Sequence, residues 1–131
     1  MKYKTDVEVR YQETDAMGVV HHSVYAVWFE LARIRGLRLD GFAYEELEAR
    51  GQNIPVIGLH VEYLKSVKFG HMIEIRMDIE QESRMKFRFV YEAYVGDQKV
   101  ATGYTQHAFT NSQGQPIRPP QEFIEFFFTK D

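Results

Sequence analysis

Polar and apolar positions alternate from the start of the chain. Tyr3, Thr5, Val7, Val9 and Tyr11 fall on one face of an extended segment, and Lys4, Asp6, Glu8 and Arg10 on the other. This predicts a half-buried strand over residues 3–11. Residues 12–22 break the alternation, with Gly18 as the flexible point. The spacing then becomes helical: Val24, Val27, Trp28, Leu31 and Ile34 recur three and four residues apart, and Tyr25, Phe29 and Ala32 widen the stripe. Ser23 is the expected N-cap of this helix. Gly36 is an interior weak point, and Gly41 marks the expected end. Glu30 and Arg33 are spaced to pair across one turn, an interaction worth about 0.2–0.5 kcal/mol. A helix this apolar should be covered over most of its circumference. Residues 44–50 predict a second, short helix.

The pattern turns to strands from residue 55. Ile57, Leu59, Val61 and Tyr63 alternate with Gly58, His60, Glu62 and Leu64. Ile73, Ile75, Met77 and Ile79 form a second set, and Met85, Phe87, Phe89, Tyr91 and Ala93 a third. Residues 99–110 make a fourth strand, behind a turn at 95–98. Residues 69–71 and 82–84 read as bends or bulges, 111–120 as a loop, and 122–128 as an apolar helix or strand. The order is strand, long helix, short helix, then a run of strands with short connections. It predicts an α+β fold with a curved antiparallel sheet of about five strands around one long helix.

At 131 residues the expectation is one domain, 1–131. Ten Phe, eight Tyr and one Trp can supply either a large core or an aromatic pocket. The net charge of −3 gives no global pull toward nucleic acid or anionic membrane. The chain has no cysteine, which excludes disulfides, a thiol nucleophile and thiolate metal sites. No apolar run is long enough to span a bilayer and no leader-like segment is visible, so a cytoplasmic location is expected.

Asp15 lies in the loop that runs into the long helix. It can shape the turn through its side chain. It can also act beside the unpaired N–H groups of the helix start, which are suited to holding an oxyanion. His21 and His22 follow, but adjacent histidines point apart and no His-x-x-x-His spacing occurs, so no metal site is expected.

Residues 10–25 read Arg-Tyr-Gln-Glu-Thr-Asp-Ala-Met-Gly-Val-Val-His-His-Ser-Val-Tyr, and Trp28-Phe29-Glu30-Leu31-Ala32-Arg33 follow. With the element order and Gln113-Gly114-Gln115-Pro116-Ile117-Arg118 near the end, the chain resembles the hotdog-fold acyl-CoA thioesterases of the 4-hydroxybenzoyl-CoA thioesterase type. The resemblance implies hydrolysis of an acyl-CoA, or an acyl carrier protein thioester, without a cofactor. It makes Asp15 the catalytic carboxylate, as general base or as nucleophile. Tyr11 and His22 match positions that line the site, and the His22 amide matches the donor to the thioester carbonyl. His22 can otherwise simply pack or cap, and Tyr11 can serve as a wall. Gly18 and Val19 border the expected substrate site. Arg84 and Arg88 are the expected contacts to the CoA phosphates, ahead of Lys65, Lys68, Lys86 and Arg118. The family implies a homodimer or a dimer of dimers with a site between subunits. It often has Pro where Ser66 stands and acids at Gly70 and His71, a departure expected to lie away from the catalytic loop. A non-catalytic acyl-CoA or acyl-carrier-protein binder on the same fold is the alternative.

Overall fold

The alternating segments pair into an antiparallel sheet in a computed structural model that describes residues 1–128. The end of the expected 1–131 domain, residues 129–131, lies outside the described residues. The elements are β1 (Tyr3–Glu8), a 3-10 turn (Tyr11–Glu13), α1 (Val24–Leu39), α2 (Tyr44–Ala49), β2 (Val56–Tyr63), β3 (Met72–Gln81), β4 (Lys86–Val95), β5 (Gln98–Thr110), β6 (Pro116–Ile117) and α3 (Gln121–Phe127). The strand order is β1-β3-β4-β5-β2, with β6 paired to the far end of β5. β1 and β2 are therefore the two edges of the main path. No helix among the described residues is long and apolar enough to cross a membrane.

Burial follows the two-residue period where one sheet face is covered. Ile73, Ile75 and Met77 of β3 and Phe87, Phe89, Tyr91 and Ala93 of β4 are all buried. β1 is shorter than the alternation suggested. It stops at Glu8, and the 3-10 turn carries Tyr11 out of the strand to 78% exposure. Residues 82–85 turn the chain from β3 into β4 and are not a bulge within one strand, with the Glu82 amide donating to the Lys86 carbonyl. The segment read as a loop, 111–120, contains β6. The apolar tail is helical: Phe123 of α3 is buried against Phe42, Phe87 and Phe109.

α1 covers the inner face of the sheet, but with a different stripe from the expected one. Tyr25, Trp28, Phe29, Ala32, Arg33, Gly36 and Leu37 are buried, while Val27 is 57% exposed. The aromatic rings decide the face: Phe29 stacks on Tyr91 of β4 at 4.0 Å. Gly36 is a close-approach site, not a weak point. A Cβ there would lie 2.8 Å from Met77 Cε of β3 and 3.2 Å from the Tyr3 ring of β1. Ser23 does not cap the helix. Its backbone is already helical, and its hydroxyl meets His21 Nδ1 at 2.8 Å. The Glu30–Arg33 pair does not form. Glu30 is exposed, whereas Arg33 is drawn inward to tyrosine and threonine hydroxyls.

Gly103 of β5 tests how tightly α1 is seated. A Cβ at this position would lie 2.4 Å from the His60 carbonyl oxygen and 2.9 Å from the Phe29 ring. Gly103→Ala should destabilise the protein by about 1–3 kcal/mol through overpacking, read as a lower urea midpoint. An unchanged midpoint would show that α1 and β2 can part at no cost.

Candidate active site

The loop between the 3-10 turn and α1 is fastened at several points. Thr14 Oγ1 donates to the Tyr11 carbonyl at 2.7 Å. The Asp15 amide donates to the Val19 carbonyl at 2.8 Å, and the Gly18 amide to the Asp15 carbonyl at 2.9 Å. Gly18 takes φ +79, a left-handed conformation that glycine adopts without penalty. Asp15 Oδ1 accepts the amides of Met17 at 2.8 Å and Val19 at 3.3 Å. The turn-shaping role is thus real. Asp15 Oδ2, however, makes no hydrogen bond among the described residues, so one carboxylate oxygen is left for other work.

Glu13 anchors this loop to α1. It is 6% exposed. Its carboxylate accepts the Arg10 amide at 2.8 Å, the Arg10 guanidinium at 3.3 Å and the Trp28 indole N–H at 3.2 Å. Its carbonyl accepts the His21 amide at 2.9 Å, just where the helix is about to begin. Burial works to raise the Glu13 pKa, but the backbone and side-chain donors prevail and hold it below the ordinary value.

Asp15, Val19 and His22 are brought to one cleft of about 320 Å³, together with Tyr25, Tyr63 and Lys65. The His22 amide has no acceptor among the described residues, and the start of α1 adds its partial positive charge there. The His22 carbonyl accepts the Tyr63 hydroxyl at 2.8 Å, which ties the helix start to the end of β2. The His22 ring lies 4.1 Å from that of His21, so the two adjacent imidazoles do not point apart as expected but pack together where the chain turns into α1. Tyr25 meets Tyr63 edge-on at 5.4 Å, and burial, with Tyr63 nearby, pushes its hydroxyl up to about 12.

Other expected residues are not gathered at this cleft in a single chain. Tyr11 is exposed and packs edge-on to Phe69 at 5.7 Å. Arg88 pairs with Glu82 and lies over the Tyr104 ring, 4.6 Å from its centroid. Arg84 stands in the 82–85 turn, outside the cleft lining. Of the basic residues, Lys65 borders the cleft. The segment with Ser66 was expected to lie away from the loop, yet Ser66 lines the same cleft. The Val20 amide donates to the Val67 carbonyl at 2.8 Å, and Val19 bridges to Lys68. Sequence reasoning had no signal for this contact, since some 45 residues of chain intervene. No group of three or more His, Asp or Glu side chains among the described residues is arranged to hold a metal.

A second polar cluster is fully internal. Tyr91 and Thr105 hydroxyls meet at 2.6 Å, and His107 Nε2 reaches Thr105 Oγ1 at 2.8 Å. His107 Nδ1 lies 3.0 Å from the Pro55 carbonyl. Burial, with the Arg33 charge nearby, lowers the His107 pKa to about 3.

Comparison with known proteins adds an independent line. The model of the thioesterase-like superfamily matches residues 9–127. A crystal structure of a hypothetical protein from Aquifex aeolicus superposes with a TM-score of 0.90 at 32% identity, covering 95% of this chain and 98% of that one. The structure of a DHNA-CoA thioesterase from Staphylococcus aureus has a TM-score of 0.84 at 33% identity, covering 96% and 83%. A protein of Escherichia coli O157:H7 named acyl-CoA thioester hydrolase YbgC is 35% identical over 77 residues, 59% of this chain and 58% of its own length.

The buried histidine makes a prediction of its own. A group neutral in the fold at pH 4 but protonated when unfolded binds its proton only in the unfolded state. Stability is therefore lost as pH falls from the ordinary value of 6.5 toward about 3. Glu13, whose pKa is lowered, adds a further loss only below about 4.5. His107→Gln should shrink the fall in unfolding free energy between pH 7 and pH 4 by on the order of 2 kcal/mol. Urea titrations at the two pH values check this, and an equal fall in both proteins would remove His107 as the cause.

Proposed function

The chain belongs to the thioesterase-like superfamily, and on that premise we propose that Asp15 is the catalytic carboxylate of a hotdog-fold acyl-CoA thioesterase, working against the open amide of His22. The reaction is hydrolysis of the thioester of an acyl-CoA to the free acid and CoA. What carries the site assignment is one juxtaposition: a carboxylate oxygen and a helix-start N–H, neither with a partner among the described residues, border the same cleft.

The chemistry follows from that pair. The amide, aided by the α1 dipole, polarises the thioester carbonyl and receives the negative charge that grows on its oxygen. Asp15 either takes a proton from the attacking water or attacks the carbonyl carbon itself, giving a mixed anhydride that water then opens. In both routes the C–S bond breaks and the thiol leaves. Tyr63 holds the helix start through the His22 carbonyl. Val19 forms the near wall, and Gly18, outside the cleft lining, is assigned to shaping the loop beside it. Tyr11, exposed in one chain, and the His22 imidazole are assigned to the wall as well. Arg84 and Arg88 are assigned to the CoA phosphates, joined by Lys65 at the cleft.

We read α1 as the long central helix of a single hotdog domain. The assembly is a homodimer, or a dimer of dimers, joined through β2. This strand is a sheet edge eight residues long that exposes Val56, Ile57, Leu59 and Tyr63. A long apolar edge is a template for pairing, whereas the other edge, β1, carries Lys4, Asp6 and Glu8. A chain without cysteine suits the cytoplasm, which is the location proposed.

Thiol release from aliphatic and aromatic acyl-CoAs tests the reading. Wild type should turn over at least one of them, and Asp15→Asn should lower kcat by about 10²–10⁴. The melting temperature should hold, because an amide oxygen can accept the same two N–H groups. Full activity in the variant removes Asp15 from the mechanism. Tight acyl-CoA binding without turnover points to a binder. Sedimentation should show a dimer or larger, and a fully active monomer would end the shared-site assembly.

A further inference from the structure

The hydroxyls of the Asp15 cleft differ in what the fold leaves them to do. Three residues of the lining carry one: Tyr25, Tyr63 and Ser66. Tyr63 spends its hydrogen on the His22 carbonyl. Ser66 is exposed, and its hydroxyl can turn to water. Tyr25 is the unusual one. It is 2% exposed, and its ring is held edge-on to Trp28 at 5.0 Å and to Tyr63 at 5.4 Å. A phenol buried this far ordinarily spends its hydroxyl on a partner. This one makes no hydrogen bond among the described residues, and its oxygen is not sealed from solvent. The little surface it keeps opens into the cleft that Tyr25 lines.

Tyr25 stands second in α1, one turn past the open amide of His22. Side chains on a helix lean toward its N-terminus, so the phenol leans back over the helix start. Burial, with Tyr63 nearby, keeps the hydrogen on its oxygen through the neutral range. A carbonyl oxygen has two lone pairs, and the His22 amide can serve one of them. We propose that Tyr25 is a further catalytic residue, whose hydroxyl donates to the second lone pair of the thioester carbonyl oxygen. This rests on the thioesterase reading. The hydrogen bond strengthens as water or Asp15 attacks and negative charge gathers on that oxygen. The phenol keeps its proton throughout. When the C–S bond breaks, the carbonyl re-forms and the charge leaves with the thiolate. Packing fixes the ring in advance, so the donor costs little reorganisation at the moment of reaction.

Tyr25→Phe removes the one oxygen and keeps the ring, and two arms compare it with wild type. In the first, kcat on hexanoyl-CoA and benzoyl-CoA should fall by on the order of 10²-fold in the variant, with KM little changed. The urea midpoint should hold, because the fold makes no use of that oxygen. In the second arm, both proteins bind hexanoyl and benzoyl analogues of CoA in which CH2 replaces the thioester sulfur. These ketones carry 13C at the carbonyl and cannot be hydrolysed. A donor on the oxygen weakens the C=O bond, so at least one of the two should show a lower infrared carbonyl frequency in wild type than in Tyr25→Phe. Turnover undiminished in the variant overturns the proposal and leaves Asp15 untouched. A fall in kcat with the same carbonyl frequency in both proteins overturns it too: the hydroxyl then serves the attacking water if the urea midpoint holds, and the fold if it drops. No turnover by wild type, with the frequencies still apart, ends the thioesterase reading and keeps the carbonyl contact in an acyl-CoA binder. No turnover and no difference in frequency ends both.

Discussion

The geometry of the Asp15 cleft depends on the buried carboxylate of Glu13. Its oxygens collect the Arg10 amide and the Trp28 indole, and its own carbonyl holds the His21 amide. One residue thus ties the segment after β1, the approach to α1 at His21 and the body of α1 together. Asp15 is suspended between two fixed points, Glu13 and the start of the helix. The register of the carboxylate against the His22 amide is set by those anchors and not by Asp15. A charge so placed is tolerable because three donors replace the water it lost.

The interior between α1 and the sheet is less apolar than its surroundings suggest. Arg33, Tyr91, Thr105 and His107 form a continuous polar chain there, reaching the Pro55 carbonyl just before β2. Such networks fix one arrangement when every member is satisfied, because each alternative strands a polar group in low dielectric. Here they connect the helix to two strands, β4 and β5, and to the segment just before the edge strand β2. The satisfied part of the network is structural. Arg33 joins it by donating to the Tyr44, Tyr91 and Thr105 hydroxyls.

Much of this was legible in the sequence, for definable reasons. β3, β4 and β5 bury one face, so their alternation is clean and their registers follow. Asp15, Gly18, Val19 and His22 lie within eight residues, and a local segment announces itself. α1 was found but its buried stripe was misjudged: when nearly every position is apolar, periodicity carries little information, and Phe29 against Tyr91 decides instead. Glu13, Arg33 and His107 were missed as interior residues because charged and imidazole groups sit mostly at the surface. Tyr63 and Ser66 join the cleft only through tertiary pairing. Tyr11 left its strand because a 3-10 turn, which no alternation reveals, begins there.

The strand order also governs when the protein can be completed during synthesis. β2 pairs with β5 alone within the chain, yet β3 and β4 lie between them in sequence. About 35 residues separate Tyr63 from Gln98. At about 5–20 residues per second, β2 therefore waits on the order of 2–7 seconds for the start of its partner, with both backbone edges unpaired. The β3–β4–β5 meander can close in order as it emerges. β2, which carries Tyr63 of the Asp15 cleft, is locked into the sheet only after β5 has emerged, so that cleft is completed well after the Asp15 loop that faces it.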